Sequence, residues 1–233
     1  MSKRVRSASQ VFPAGWLWGF CLVGVLLAGC ARGVGVPYNY DKIRALRPSS
    51  ILIVPVVNQS VDVAAPDYFL STASLPVAEQ GYYVFPVNLV KRLLEDDGLS
   101  DAGFVHRADP VRLAGLFGAD TVLYIVIERW DARYAVLATT VTVQFHYVLK
   151  SGITGEELWR TRSTMSYTPE SQSSGNPWAD LIAAAITAAV AKAAPNYIPL
   201  AQAANYSAVM DRYQGLPPGP HHRKYMHWLH PVK

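Results

Sequence analysis

Two cysteines in 233 residues leave no disulfide framework to build on. Cys21 lies inside an apolar run near the amino terminus and Cys30 closes it, so processing before Cys30 would leave a single thiol and a fold held by its core. Charge is also scarce once the ends are set aside. The formal net charge is +4, but Lys3, Arg4 and Arg6 precede the apolar run with no acidic residue among them. Arg223, Lys224 and Lys233 likewise stand in an acid-free tail after Gly215. The basic surplus therefore belongs to the two ends, which excludes a nucleic-acid domain as its source. A glycine-rich phosphate loop, a Gly-x-Ser-x-Gly elbow, EF-hand spacing and internal repeats are missing too. With no nucleophile–base pair to nominate, no catalytic residue, metal site or cofactor is expected, and the chain reads as a non-enzyme.

What is present first is a leader. A basic start, the uninterrupted hydrophobic stretch Ala14 to Ala28, and the small residues Ala28 and Gly29 before Cys30 form a secretory signal ending in the bacterial lipobox Leu27-Ala28-Gly29-Cys30. A membrane-spanning helix needs about 20 apolar residues, and Pro13 cuts this run shorter. Cleavage between Gly29 and Cys30 would expose Cys30 for acylation, with lipid chains as the membrane partner. Ala31 and Arg32, with no Asp after the cysteine, imply the outer membrane; the periplasmic face is expected, with exposure at the cell surface as the alternative. The segments expected are a signal peptide over 1–29, a lipidated tether over 30–46, an α/β domain over 47–214 and a His/Pro-containing basic tail over 215–233.

Within the domain, Ser50 to Val57 is a β-branched apolar run suited to a strand buried on both faces, although Pro55 cannot pair centrally. A helix opens at Ala65-Pro66-Asp67 and ends at Gly81, and a strand over Tyr82–Pro86 follows. Helices are predicted over Val87–Asp97 and Asp109–Phe117, the latter capped by Asp109 and stopped at Gly118. Thr121–Glu128 reads as the central strand. Leu137–Leu149 alternates apolar with polar, so one of its faces is wet, and Glu157–Tyr167 returns antiparallel after the turn Ser151–Gly155. Two helices, Asn176–Ala194 and Tyr197–Tyr213, close the domain. The order β-α-β-α-α-β-β-β-α-α predicts one mixed-sheet, Rossmann-like α/β domain with helices on both faces, in three layers.

The stretch Asn58–Pro86 (NQSVDVAAPDYFLSTASLPVAEQGYYVFP), the block Phe117–Ile125 and the hairpin Thr154–Trp159 resemble a family of Gram-negative lipoproteins of unassigned function, typified by a neisserial genome-derived antigen. More distantly they are similar to the CsgG curli-secretion lipoprotein and to the TolB amino-terminal domain. The resemblance covers most of residues 47–214, and Gly215–Tyr225 also fits. It implies a Rossmann-like module on an outer-membrane lipid anchor, partnered by other envelope lipoproteins or by further copies of itself, and no catalytic residues.

The residues themselves offer a few candidates. At the carboxyl ends of parallel strands, Asn58, Ser60 and Asp62 in one loop and Asn88 in another would line a ligand or partner crevice. Glu95-Asp96-Asp97 and Asp101 read as a solvated helix end. His106 and His146 lie far apart, and His146 projects from the polar face of a strand. Leu181–Ala194 is apolar nearly all round, which suits a tightly packed helix or an oligomer face. His221, His222, His227 and His230 gather in the tail without the cysteine or carboxylate that would close a metal site. With Arg223, Lys224, Tyr225 and Trp228, that tail suits anionic lipid headgroups or a partner.

Overall fold

Ile51, Leu52 and Ile53 are completely buried, as a continuous apolar run flanked by strands on both sides requires. In the computed structural model, which describes residues 38–131, 141–167 and 197–230, they form part of a six-stranded mixed sheet. The elements in chain order are α1 (Asp41–Leu46), β1 (Ser50–Ile53), β2 (Val57–Asn58), α2 (Ala65–Glu79), β3 (Tyr83–Val84), α3 (Val87–Asp96) and α4 (Ala102–Arg107). They continue with α5 (Pro110–Phe117), β4 (Thr121–Trp130), β5 (Val141–Ser151), β6 (Glu157–Tyr167), α6 (Ile198–Val209) and α7 (Tyr225–Leu229). The spatial order is β3-β1-β4-β5-β6, with β2 also beside β4. Pairing is parallel among β3, β1, β2 and β4 and antiparallel from β4 through β6.

The strand expected over Ser50–Val57 is broken in two. β1 pairs with Thr121–Leu123 and β2 with Val126–Ile127, on the same flank of β4. Between them Pro55 has no amide proton to offer the ladder. Alternation of strand and helix ends at β4, and the second half of the sheet is an antiparallel meander.

Helices cover both faces. On one, α2 and α6 pack over Ile51, Ile53, Leu123, Ile125 and Ile127, where Phe69 meets Trp130 and Phe145 edge-on at 5.4 and 5.1 Å. On the other, Leu52, Val54, Val122 and Tyr124 meet Val90 and Leu94 of α3, Val105 of α4 and Leu113 of α5. Asp101 caps α4 by accepting from the Phe104 amide at 3.0 Å, and Asp109 caps α5 through the Val111 amide at 3.0 Å. Asp101 thus belongs to a helix that the sequence reading did not separate. Helix α6 stops at Val209, short of the Tyr213 expected, and Asp211 accepts from the Tyr213 and Gln214 amides in the turn that follows.

The ends of the domain fold onto each other. Tether residues 41–46 form α1, with Ile43 in the core. The tail beyond Gly215 lies on the body: Gly219 N donates to Gln80 O at 2.6 Å, His221 N to Gly81 O at 3.1 Å, and Tyr82 Oη to Pro217 O at 3.0 Å. Glycine is required at this crossing. A Cβ on Gly81, whose φ is +84°, would stand 2.3 Å from His222 N, and one on Gly219 would meet the Tyr82 ring at 2.9 Å. The leader, Cys30 and the alanine-rich segment Leu181–Ala194 lie outside the described residues.

Candidate functional site

The expected crevice loop follows β2 at the carboxyl edge of the parallel strands. Asn58 Nδ2 donates to Asp62 O at 2.8 Å, while its Oδ1 accepts from Ser60 N and Oγ at 2.9 and 2.7 Å. Asp62, 7% exposed, accepts from the Ala64 amide at 3.0 Å. Three of the four candidates therefore spend their polar atoms on each other, as Asx turns do, and leave Val61 and Val63 as the exposed side chains. Asn88 is exposed in the first turn of α3, at the same edge of the sheet. No hydrogen bond joins it to the loop among the described residues.

A second constellation lies on the open half of the sheet. On the face that α3–α5 cover over β1 and β4, the outer strands present Gln144, His146, Val148 and Lys150 from β5 beside Arg160, Arg162 and Thr164 from β6. The β5 residues are half-buried and the β6 residues exposed. His146 stands opposite Arg162 and Val148 opposite Arg160 in the antiparallel register. Glu128 reaches across from β4: its Oε1 lies 2.9 Å from His146 Nδ1 and accepts from Arg162 Nη2 at 2.6 Å. Glu128 is brought there by a bulge. The register with β5 slips between Ile127 and Arg129, so Glu128 and Arg129 both face outward while Trp130 returns to the core, 0% exposed.

This arrangement lines a cavity of about 340 Å³ formed by His146, Tyr147, Val148, Arg160, Thr161 and Arg162. Glu157 takes one guanidinium, Arg160 Nε donating to it at 2.5 Å, and Glu128 takes the other. The Arg160 partnership holds the Glu157 carboxyl below the ordinary carboxylate range, chiefly through that hydrogen bond. Both guanidinium side chains remain mostly solvent-exposed, at 65% and 69%, so donors stay available to an anion in the cavity. The chemistry offered is recognition of a small acidic or hydrogen-bond-accepting group.

Beside the cavity, Tyr124 is buried and lies between Lys150 and His106. Lys150 Nζ sits 5.2 Å above its ring, and the His106 ring meets it edge-on at 5.1 Å. His106 Nε2 is 2.9 Å from Pro55 O, and burial lowers its pKa from the usual imidazole value. The Tyr124 hydroxyl, pushed up to about 12 by burial and then by Asp109, has no hydrogen-bond partner among the described residues. Sequence separation hid that His106 of α4 packs on the face of the sheet from which His146 projects. The signal available was the alternation of Leu137–Leu149, which marked His146 and Gln144 as a wet row. The partner Glu128 was legible only through the register.

Opposite, beneath α2 and α6, a polar node closes the core. Asn205, 0% exposed, donates to Phe69 O at 3.1 Å and to Thr72 Oγ1 at 2.7 Å, and accepts from the buried Tyr147 hydroxyl. Among the described residues no cluster of three or more His, Cys, Asp or Glu could hold a metal ion.

The family profile "Putative lipoprotein GNA1162-like" matches residues 38–221. The Neisseria meningitidis serogroup B protein named "Putative lipoprotein NMB1124/NMB1162" is 31% identical over 164 residues, spanning 70% of this chain and 74% of that one. The crystal structure of lipoprotein GNA1162 from N. meningitidis is 31% identical with a TM-score of 0.51, covering 62% of this chain and all but 1% of its own, since 99% is matched. Lesser likenesses are to the PelC dodecamer from Paraburkholderia phytofirmans (14% identity, TM-score 0.37, 54% and 77% of the two chains) and to the LpoB C-terminal domain from Salmonella enterica (21%, 0.38, 62% and 93%). With TM-scores below 0.5, neither of these bears on function.

Proposed function

Because the chain belongs to the GNA1162-like lipoprotein family, we propose that it is an outer-membrane lipoprotein, acylated at Cys30, that works by contact with other envelope proteins. Its α/β domain, Rossmann-like in the parallel half, serves as a non-enzymatic subunit of a cell-envelope secretion or assembly complex. Kinship with the CsgG and TolB modules is part of the same proposal. The observation that carries it is the juxtaposition of a family match beginning at residue 38 with the lipobox Leu27–Cys30 just ahead of it. Acyl chains supply the attachment, each buried methylene contributing about 0.8 kcal/mol, and the domain is left to offer surfaces. Two measurements test this. Mass spectrometry of the purified native protein should find diacylglycerol on Cys30 and the leader removed. Extraction in mild detergent should recover defined partners or a homo-oligomer, and a monomeric, partnerless protein with a free thiol refutes the proposal.

The cavity on the open sheet favours a second reading, a binding module for a small ligand or cell-wall glycan. Arg160 and Arg162 suit the carboxylates of peptidoglycan fragments. A ligand specific to the folded state raises the melting temperature, so cell-wall fragments should stabilise the wild type and leave an Arg160→Gln/Arg162→Gln variant unmoved. No shift with any fragment would rule this reading out.

A further inference from the structure

Where the tether enters the domain, the two ends of the domain build one aromatic cluster. Tyr38 and Tyr40 have ring centroids 5.1 Å apart, Tyr40 lies 6.2 Å from Trp228 of α7, and Trp228 lies 6.3 Å from Tyr225. Arg44 stacks on Trp228 at 4.8 Å. Backbone bonds hold the cluster in place: Tyr38 N donates to Tyr213 O at 3.2 Å, and Tyr40 Oη to Gly215 O at 2.6 Å. Its rim stays wet and apolar, with Tyr213 46% and Met226 65% exposed.

Charge around the cluster is of one dominant sign. Of the nearby acids, Asp41 pairs with Arg44, Glu156 with Lys42 and Glu157 with Arg160, while Asp211 accepts from two turn amides and keeps its charge beside Arg212. Arg212, Arg223 and Lys224 are exposed and form no salt bridge among the described residues.

Geometry decides what faces this surface. From Cys30 to Tyr38 there are eight residue steps. At no more than about 3.6 Å each, an acylated Cys30 keeps Tyr38 within about 29 Å of the bilayer, however the tether runs. An amphipathic aromatic cluster ringed by unpaired cations matches the interface, where Tyr and Trp settle at headgroup depth and Lys and Arg meet phosphates. We propose that the surface around Tyr38, Tyr40 and Trp228, with Arg223 and Lys224, is the membrane-apposed face and rests on anionic phospholipid headgroups. It orients the domain so that the cavity and the carboxyl-edge loop are presented at a set angle to the bilayer. This inference rests on the lipoprotein reading above.

The test uses the full-length protein as purified, placed on phosphatidylcholine vesicles with and without phosphatidylglycerol, with brominated lipid as a quencher of tryptophan fluorescence. Quenching should be stronger on the anionic vesicles and weaken in high salt, and most of it should vanish in Trp228→Phe. Each unpaired cation near an anionic surface favours the bound orientation by about fivefold. Arg223→Gln/Lys224→Gln, which alters only exposed side chains, should therefore reduce the docked population on anionic vesicles and leave neutral vesicles unchanged. Quenching that is equal on both vesicle types, or that survives Trp228→Phe, overturns the proposal. So does Trp228 emission that ignores lipid but changes with protein concentration, which would assign the surface to a second copy. Mass analysis of the same sample keeps the two readings apart. If Cys30 is unacylated the lipoprotein reading fails by itself, and salt-sensitive quenching of Trp228 on anionic vesicles still upholds or, by its absence, overturns the headgroup contact.

Discussion

Replacing Asn205 by Ala should be among the most damaging single changes to this domain. The side chain makes three buried hydrogen bonds, to Phe69 O, Thr72 Oγ1 and the Tyr147 hydroxyl. Each contributes about 1 kcal/mol net, and the Tyr147 hydroxyl, at 0% residue exposure, would be orphaned for about 1–3 kcal/mol more. The expected loss is therefore about 4–6 kcal/mol, a large share of a typical domain's stability. Tyr147→Phe removes one of the same bonds and strands the Asn205 carbonyl, for about 2 kcal/mol. In the double variant the shared bond is lost only once and neither group is stranded, so it should lose at least about 3 kcal/mol less than the sum of the singles. Equilibrium urea unfolding of the four proteins gives the cycle, provided the slopes agree. Additivity within about 0.5 kcal/mol would refute the node as a coupled unit.

Gly81→Ala should cost about 2 kcal/mol or more and make the tail beyond Gly215 sensitive to protease, because the new Cβ meets the His222 backbone. Gly98→Ala, at an equally positive φ with nothing within 4 Å, should cost only about 1 kcal/mol and leave the tail protected, as limited proteolysis would report. Asp120 accepts from the amides and hydroxyls of Ser49 and Ser50; burial opposes its ionisation, but these four bonds prevail and its pKa is lowered. A depressed folded-state pKa gives stability that is complete above the unfolded value, about 4, and lost as the pH falls through the folded one. Wild type and Asp120→Asn should thus differ in urea midpoint at neutral pH, draw together as the pH falls below about 4, and meet only below the lowered folded-state pKa. Arg162→Gln, by contrast, should shift stability by less than about 1 kcal/mol at any pH, since Arg162 is largely exposed and Glu128 keeps its contact with His146.

The elements with a strong period were legible in the sequence. Thr121–Glu128 as a central strand, the alternation over Val141–Leu149 with its return at Glu157–Tyr167, and the Asp109 and Gly118 limits of α5 all appear in the fold, residues 137–140 lying outside the described residues. Helix α4 was missed because six residues scarcely define a helical period, and its Asp101 cap sits among acids that read equally well as a solvated end. The extent of the first strand was misjudged because an apolar run continues through Pro55 although hydrogen bonding does not. The site fared worse. Asn58, Ser60 and Asp62 were named for their polarity, yet the fold turns that polarity inward upon the loop itself. Arg160 and Arg162 lay unremarked within a strand whose value depends on what stands opposite.

By itself the sequence carried the expectation of a leader and lipobox, and determined the mixed α/β class, the burial of β1 and β4 and the wet row of β5. All of these are properties of residues close along the chain, carried by composition, spacing and period. The tertiary structure alone decided that Glu128, His146 and Arg162 share one face, that Asn205 joins two helices to the sheet, and that the tail lies beside the tether. Those associations are set by strand register, a single bulge and the close approach of Gly81 to Gly219, contacts between distant residues that no local pattern encodes.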